Sequence, residues 1–232
     1  MSNHYEKDDS QENSVPEILP ALITKITVQK KNRNRFSLFH DEHFLLGVSS
    51  KTLTDFSLQE GVELTPFLFN EIKRSEEVQA VRESCLRYLG RRDHASFELR
   101  KKVSKKGFDK KIINSVIDEL QEKGFINDEQ FAEAFALEKA EMNKWGPQKI
   151  KSALFKKGID KRFIEKALKN VRENLQQDQI CVDLVFKRKS HFLREKDTFK
   201  RKQKIFRYLA GRGFTSSVIK QSMPQIAEIL DA

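Results

Sequence analysis

Leu99-Arg100-Lys101-Lys102-Val103-Ser104-Lys105-Lys106-Gly107-Phe108-Asp109-Lys110-Lys111-Ile112-Ile113 holds the instruction on which the fold of this chain turns. Leu99 and Val103 lie four residues apart, on one face of a helix. Lys105 and Lys106 complement the dipole of its last turn, and Gly107 supplies a left-handed terminating residue at little steric cost. Asp109 then caps a further helix that buries Ile113, Val116, Ile117 and Leu120. The same arrangement returns as Ile150, Leu154, Gly158, Ile159, Ile164 and Leu168, and again as Ile205, Leu209, Gly213, Phe214, Ile219 and Met223. Gly107 and Gly158 are 51 residues apart, and Gly158 and Gly213 are 55 apart. Recurrence at this interval predicts an array of like modules, and arrays bind extended partners more often than they catalyse reactions.

Working outward, each copy predicts three helices. In the first, Val78, Val81, Cys85, Tyr88 and Leu89 form an apolar stripe ending at Gly90, and a second helix starts near Ser96. In the second, Asn127 with Gln130 makes a capping box ahead of Phe131, Phe135 and Ala136. Gly146-Pro147 opens its middle helix and Asp160 caps its last, whereas Thr215 takes that role in the third copy. Phe131, Phe135, Phe155 and Phe163 are expected in the core.

Ahead of the repeats, Ile23–Val28, Phe36–Phe39 and Phe44–Val48 read as a three-stranded meander, with Arg33-Asn34-Arg35 and His40-Asp41-Glu42 as interruptions. Ser49 is the expected cap of a helix carrying Leu53 and Phe56, and Thr65-Pro66 opens another with Phe69 and Ile72. The fold class expected is mostly α: three tandem three-helix repeats in an elongated, curved array, preceded by a small β-rich α/β module. Its divisions are an acidic disordered tail over 1–20, the α/β module over 21–75, and repeats over 76–125, 126–174 and 175–232. The working surface expected of such an array is a groove rather than a pocket.

Charge narrows the partner. The 232 residues carry a net charge of +10, unevenly spread. Between 186 and 220, twelve Lys and Arg face only Glu195 and Asp197. Such clustering predicts a polyanionic partner, most simply nucleic acid. The main candidates for phosphate or acidic contacts are Lys187, Arg188, Lys189, Lys200, Arg201, Lys202, Lys204 and Arg207. Arg91, Arg92, Lys101 and Lys102 make a second patch, and Lys149 lies beside Trp145 in the second repeat. Trp145 either stacks on a base or partner, or packs its own repeat's first helix onto the second. For every one of these cations the competing reading is an ordinary solvated helix face.

Chemistry finds little footing. His40 and His43 form an H-x-x-H in a turn without cysteines nearby, and His94 and His191 stand alone. Asp118-Glu119 and Asp128-Glu129 are explained as capping and surface charge. Gly211-x-Gly213 lacks the strand that a phosphate-binding loop requires. Neither enzyme activity nor a metal or other cofactor is expected. Cys85 and Cys181 lack metal-like spacing, no apolar run is long enough for a bilayer, and the first twenty residues are not a secretory signal. A reduced, cytoplasmic monomer without membrane contact is the expectation.

Tyr88-Leu89-Gly90-Arg91-Arg92, Glu98-Leu99-Arg100-Lys101-Lys102 and Gly124-Phe125-Ile126-Asn127-Asp128-Glu129-Gln130-Phe131-Ala132 resemble the RecX family of recombination regulators. Trp145-Gly146-Pro147-Gln148-Lys149-Ile150 and Leu154-Phe155-Lys156-Lys157-Gly158-Ile159 continue the likeness. It is densest from about residue 84 to 170, and Tyr208-Leu209-Ala210-Gly211-Arg212-Gly213-Phe214 carries it into the third repeat. The resemblance implies a non-enzymatic regulator lying in the groove of a RecA–single-stranded-DNA filament. It would block filament extension, favour disassembly, or hinder co-protease and strand-exchange activity, within homologous recombination, DNA repair and the SOS response. The implied partners are the RecA filament and single-stranded DNA, with weak duplex binding beside them.

Two other readings compete. One is a helix-turn-helix regulator of duplex DNA, with Asn114 and Ser115 reading bases. The other is a scaffold that binds protein alone.

Overall fold

Alternating apolar residues between 25 and 49 close into an antiparallel meander in the computed structural model, which describes residues 15–231. The strands are β2 (Lys25–Gln29), β3 (Asn32–His40) and β4 (His43–Ser49), in spatial order β2-β3-β4. Ile26 pairs with Leu38 and Leu38 with Leu46, so one apolar face is shared across the sheet. A second pair, β1 (Ala21–Leu22) with β5 (Glu63–Leu64), has no counterpart in the sequence reading. Arg33-Asn34-Arg35, expected as an interruption, lies inside β3, and the turn falls at Lys30-Lys31. Arg35 explains the difference: its guanidinium donates to the Gly47 carbonyl at 3.0 Å and pairs with Glu76 at 3.0 Å.

Ser49 caps α1 (Ser50–Asp55) as expected, its hydroxyl accepting from the Thr52 N–H. Ile23, Leu38, Val48, Leu64, Phe69 and Ile72 form the core, with Leu19 packed against it. Leu19 therefore belongs to this module and not to the tail expected over residues 1–20. Residues 1–14 of that tail lie outside the described residues.

α2 (Pro66–Leu89) is one 24-residue helix, where two helices and a boundary at 75/76 were expected. No glycine or proline between Ile72 and Val78 stops it. The chain divides into two units between Ser84 and Cys85.

In the second unit each expected stop-and-cap is present. α3 (Ser96–Ser104) is followed by Gly107 at φ +84°, and Asp109 accepts from the Lys111 and Ile112 N–H groups to start α4 (Lys110–Glu122). α5 (Asp128–Glu141) is capped by Asn127, whose Oδ1 accepts from the Gln130 N–H at 2.9 Å. α6 (Pro147–Lys156) ends before Gly158 at φ +75°, and Asp160 caps α7 (Lys161–Asn174). The third repeat departs from the plan in its first helix, which is broken into α8 (Gln177–Phe186) and a short α9 (Lys189–Leu193). α10 (Thr198–Gly211) and α11 (Ser216–Asp231) follow, with Gly213 at φ +94° between them.

The cores are those the periodicity implies. Ile150, Leu154, Ile164 and Leu168 pack with Phe131, Ala132 and Ala136 in the second repeat. Ile205, Leu209, Phe214 and Ile219 pack with Cys181, Val182 and Val185 in the third. Phe155 is an exception, 71% exposed rather than buried. The apolar stripe of α6 runs through Pro147, Ile150 and Leu154, and Phe155 lies about 100° round the helix from Leu154. Phe135 and Phe163 are half-buried against the core.

Successive repeats are joined through the N-terminus of the middle helix. Neither α3 nor α6 has a side-chain cap of its own. For α3, the Asp128 carboxylate of the next repeat accepts from the Ser96 N–H at 2.8 Å and the Ser96 hydroxyl at 2.6 Å. For α6, the Gly213 carbonyl of the next repeat accepts from Gln148 N–H at 2.9 Å, and the Arg212 carbonyl accepts from Gly146 N–H at 2.8 Å. These bonds satisfy donors that a helix start otherwise leaves unpaired. α10 is capped from within its own repeat by Asp197, which accepts from Phe199 and Lys200 N–H.

The joints are also tight. A Cβ on Gly158 would sit 2.5 Å from the Phe97 Cβ, and one on Gly213 would sit 2.5 Å from the Lys149 backbone nitrogen. Only glycine fits there.

Candidate nucleic-acid interface

The break between α8 and α9 is what makes the third repeat unlike the others. Lys187 closes α8 and Arg188 opens α9, so two cations stand side by side at a bend. Tyr208 and Arg212 lie one helical turn apart at the end of α10. The Tyr208 ring rests against Phe192 at 5.7 Å between centroids. The Arg188 guanidinium lies 5.1 Å from that ring's centroid and the Arg212 guanidinium 5.9 Å from it. With Leu184 and Lys187, these residues line a cavity of about 380 Å3. None of the five lining residues is acidic. Among the described residues, Lys187, Arg188 and Arg212 form no ion pair, and the buried Arg212 Nε has no hydrogen-bond acceptor.

The remaining candidates of this repeat divide into engaged and free. Lys204 bridges to Glu195 at 2.6 Å and holds that carboxyl below its ordinary range. The Arg201 Nε donates to the Glu195 carbonyl at 2.9 Å, and Lys200 stands 4.0 Å from Asp197. Lys202 and Arg207 are exposed on α10, and Lys189 is half-buried at the start of α9. These last three make no ion pair among the described residues. Phe186 and Phe199, 60% and 68% exposed, directly precede Lys187 and Lys200.

In the first repeat Arg92 and Lys102 are structural. Arg92 donates to the Asp93 carbonyl and reaches Glu98 at 3.4 Å. Lys102 donates to the buried His94 Nε2 at 2.7 Å and lies over the Tyr88 ring. His94 Nδ1 in turn donates to the Arg92 carbonyl, which fixes the tautomer that leaves Nε2 as acceptor. Burial pushes the His94 pKa below its ordinary value, and nearby Arg92 and Lys102 push the same way. Burial raises the Glu98 carboxyl, but Lys157 at 2.7 Å and Arg92 outweigh it and hold the group low. Arg91 and Lys101 are exposed and form no ion pair among the described residues.

Trp145 packs half-buried against the core of the second repeat, with the Lys149 ammonium 4.5 Å from its ring. Asn114, needed by the duplex-reading alternative, accepts from the Arg100 Nε at 3.1 Å. It and Ser115 share their cavity with Lys111, Asp118, Glu119 and Glu122, three carboxylates against one lysine, of which Asp118 pairs with Arg100 and Glu119 with Lys123. His40 Nδ1 is bonded to the Leu22 carbonyl at 2.8 Å, and His40 pairs with His43 across β3 and β4. No cluster of three or more His, Cys, Asp or Glu able to hold a metal occurs among the described residues. No described helix is long and apolar enough to cross a membrane.

Comparison with known proteins matches four family profiles in succession. Residues 21–65 match the regulatory protein RecX N-terminal domain, 82–120 the first RecX three-helix domain, 127–168 the second and 176–223 the third. The chain belongs to the RecX family. Regulatory protein RecX of Clostridium beijerinckii is 30% identical over 210 residues, covering 90% of this chain and 97% of that protein. Regulatory protein RecX of Halalkalibacterium halodurans is also 30% identical, covering 89% and 78%. A crystal structure of regulatory protein RecX superposes with a TM-score of 0.75 at 23% identity, over 88% of this chain and 99% of the other. The crystal structure of RecX from Lactobacillus salivarius gives 0.60 at 25% identity, over 68% and 98%. The family is thus one of regulatory proteins built from an N-terminal domain and three three-helix domains.

Tyr208 and Arg212 are absent from the contact residues expected from the sequence. Their i, i+4 spacing at the end of a helix was the available signal. Lys187 and Arg188 were singled out, but their meeting with that pair needs the break after Phe186, which no local pattern announces.

Proposed function

We propose that this protein lies in the groove of a RecA–single-stranded-DNA filament and restrains the recombinase, acting by binding rather than by chemistry. The reading rests on membership of a regulatory family, and one observation carries it to a polyanion. Repeat three concentrates Lys187, Arg188, Lys189, Lys202, Arg207 and Arg212 with no carboxylate paired to any of them among the described residues. A cluster left without internal counter-charge favours an external one. The repeats supply a continuous series of joined modules, a form suited to a long partner rather than a small molecule.

The test is RecA's DNA-dependent ATPase and strand exchange with increasing amounts of this protein. Both should fall as the protein is added. Rates and filament lengths untouched at a several-fold excess over RecA would overturn the proposal.

A further inference from the structure

The cavity between α8, α9 and α10 differs from the rest of the basic surface in being built. A tyrosine ring lines it, and two guanidiniums lie near that ring from different elements: Arg188 from the bend at 5.1 Å and Arg212 from the end of α10 at 5.9 Å. A guanidinium drawn towards a ring keeps N–H donors that can still serve an outside acceptor. A guanidinium's edge matches the spacing of two oxygens on a phosphate. Lys187 adds a third positive charge on the rim. The buried Arg212 Nε has no acceptor in the protein, so that side chain's hydrogen-bonding capacity is not used up internally. At about 380 Å3 the cavity is near the lower end of the ~300–1,000 Å3 typical of small-ligand sites, roomy enough for a phosphate with its sugar.

We propose that Lys187, Arg188, Tyr208 and Arg212 form a phosphate clamp for one phosphodiester of single-stranded nucleic acid. The clamp deepens the filament reading by giving the third repeat a direct hold on the strand. Nucleic acid is favoured over an acidic polypeptide by the exposed rings that adjoin the cations in sequence. Phe186 immediately precedes Lys187, and Phe199 immediately precedes Lys200. Solvent-facing aromatics next to cations suit bases stacked along a positively charged surface. An acidic peptide would use the charges and leave the rings wet. The Arg212 carbonyl also bonds Gly146, so the clamp stands beside the joint between repeats two and three.

The experiment needs no RecA. Binding of the full chain to a fluorescent oligothymidylate is measured by anisotropy across a salt series, against Arg188→Ala/Arg212→Ala. A charge-matched variant, Arg194→Ala/Lys220→Ala, alters exposed cations of the same repeat that line no part of the cavity. The clamp variant should lose about tenfold or more in affinity, and its log–log salt slope should fall by about 0.7 for the one phosphate released. The charge-matched variant should lose less than about threefold. Arg188→Lys/Arg212→Lys keeps the charge without the fork and should also lose affinity, which covers the case in which the alanine variant does not fold. Equal losses in the clamp and charge-matched variants, or tighter binding of polyglutamate than of the oligonucleotide, would overturn the clamp. Because RecA is absent, these results are independent of the ATPase test. A chain that restrains RecA yet ignores the oligonucleotide would refute the clamp alone.

Discussion

The carboxylate of Asp128 accepts two hydrogen bonds from Ser96, one from its backbone N–H and one from its hydroxyl, and so caps a helix in the preceding repeat. The joint between repeats two and three does the same work with the Gly213 carbonyl on Gln148. A neighbour that completes a helix start makes each repeat's stability depend on the next. It also holds the modules in a set register, the condition for a series of small three-helix units to act as one binding body.

Replacing Asp128 with alanine should destabilise the chain by about 1–2 kcal/mol, the range for a lost helix cap. Asp128→Asn, which keeps an acceptor, should recover most of the loss. Urea denaturation of the three proteins checks this. An Asp128→Ala midpoint equal to wild type would show that the inter-repeat cap carries no weight.

The turn glycines offer a graded comparison. Gly107 has a positive φ with nothing within 4 Å of the site a Cβ would fill. Gly107→Ala should therefore cost only the backbone strain, about 1–2 kcal/mol. At Gly213 the added methyl would meet the Lys149 backbone nitrogen at 2.5 Å, with overpacking adding about 1–3 kcal/mol. Thermal melts should place Gly213→Ala well below Gly107→Ala, and the reverse order would contradict the joint described.

His94 makes stability fall on the acid side. Burial depresses its folded pKa below the ordinary value near 6.5, so below that value the unfolded chain takes up the extra proton. Its contribution is complete above about pH 6.5 and declines as pH drops through the folded value. The hydrogen bond to the Arg92 carbonyl and the Glu98 charge favour protonation, the Arg92 and Lys102 charges oppose it, and with burial the net direction is down. The drop in urea midpoint between pH 7.5 and 5.5 should shrink in His94→Gln. An unchanged drop would assign the acid sensitivity elsewhere.

Cys181 is buried, and desolvation lifts its thiol to about 12 despite the Ser222 hydroxyl beside it. Cys85 is buried as well, and its thiol is raised by the same cause. Neither should react with iodoacetamide at pH 8 in the folded chain, whereas both should do so in urea. Mass spectrometry after alkylation reads the outcome directly. Rapid native labelling of either thiol would contradict their burial.

How far the residues spoke for themselves follows from the range of the forces involved. Gly107, Gly158 and Gly213, with Asp109 and Asp160, announced the helical repeats because turn and cap signals act within a few residues. Phe155 misled because a phenylalanine near an apolar stripe reads as core until the helical phase is counted. Asp128 was legible only as a cap for its own helix, since its partner Ser96 is thirty-two positions away. The same limit hid the clamp. Lys187 and Arg188 drew notice as charge, but the ring beneath them comes from α10. Charge runs also overstated the free surface, because Lys204 and Arg201 are spent on Glu195.

Electron microscopy of RecA filaments on single-stranded DNA, saturated with this protein, images groove binding itself. Added density should run along the helical groove, three modules per copy, with the third repeat nearest the strand. Bare filaments of undiminished length under those conditions would contradict it.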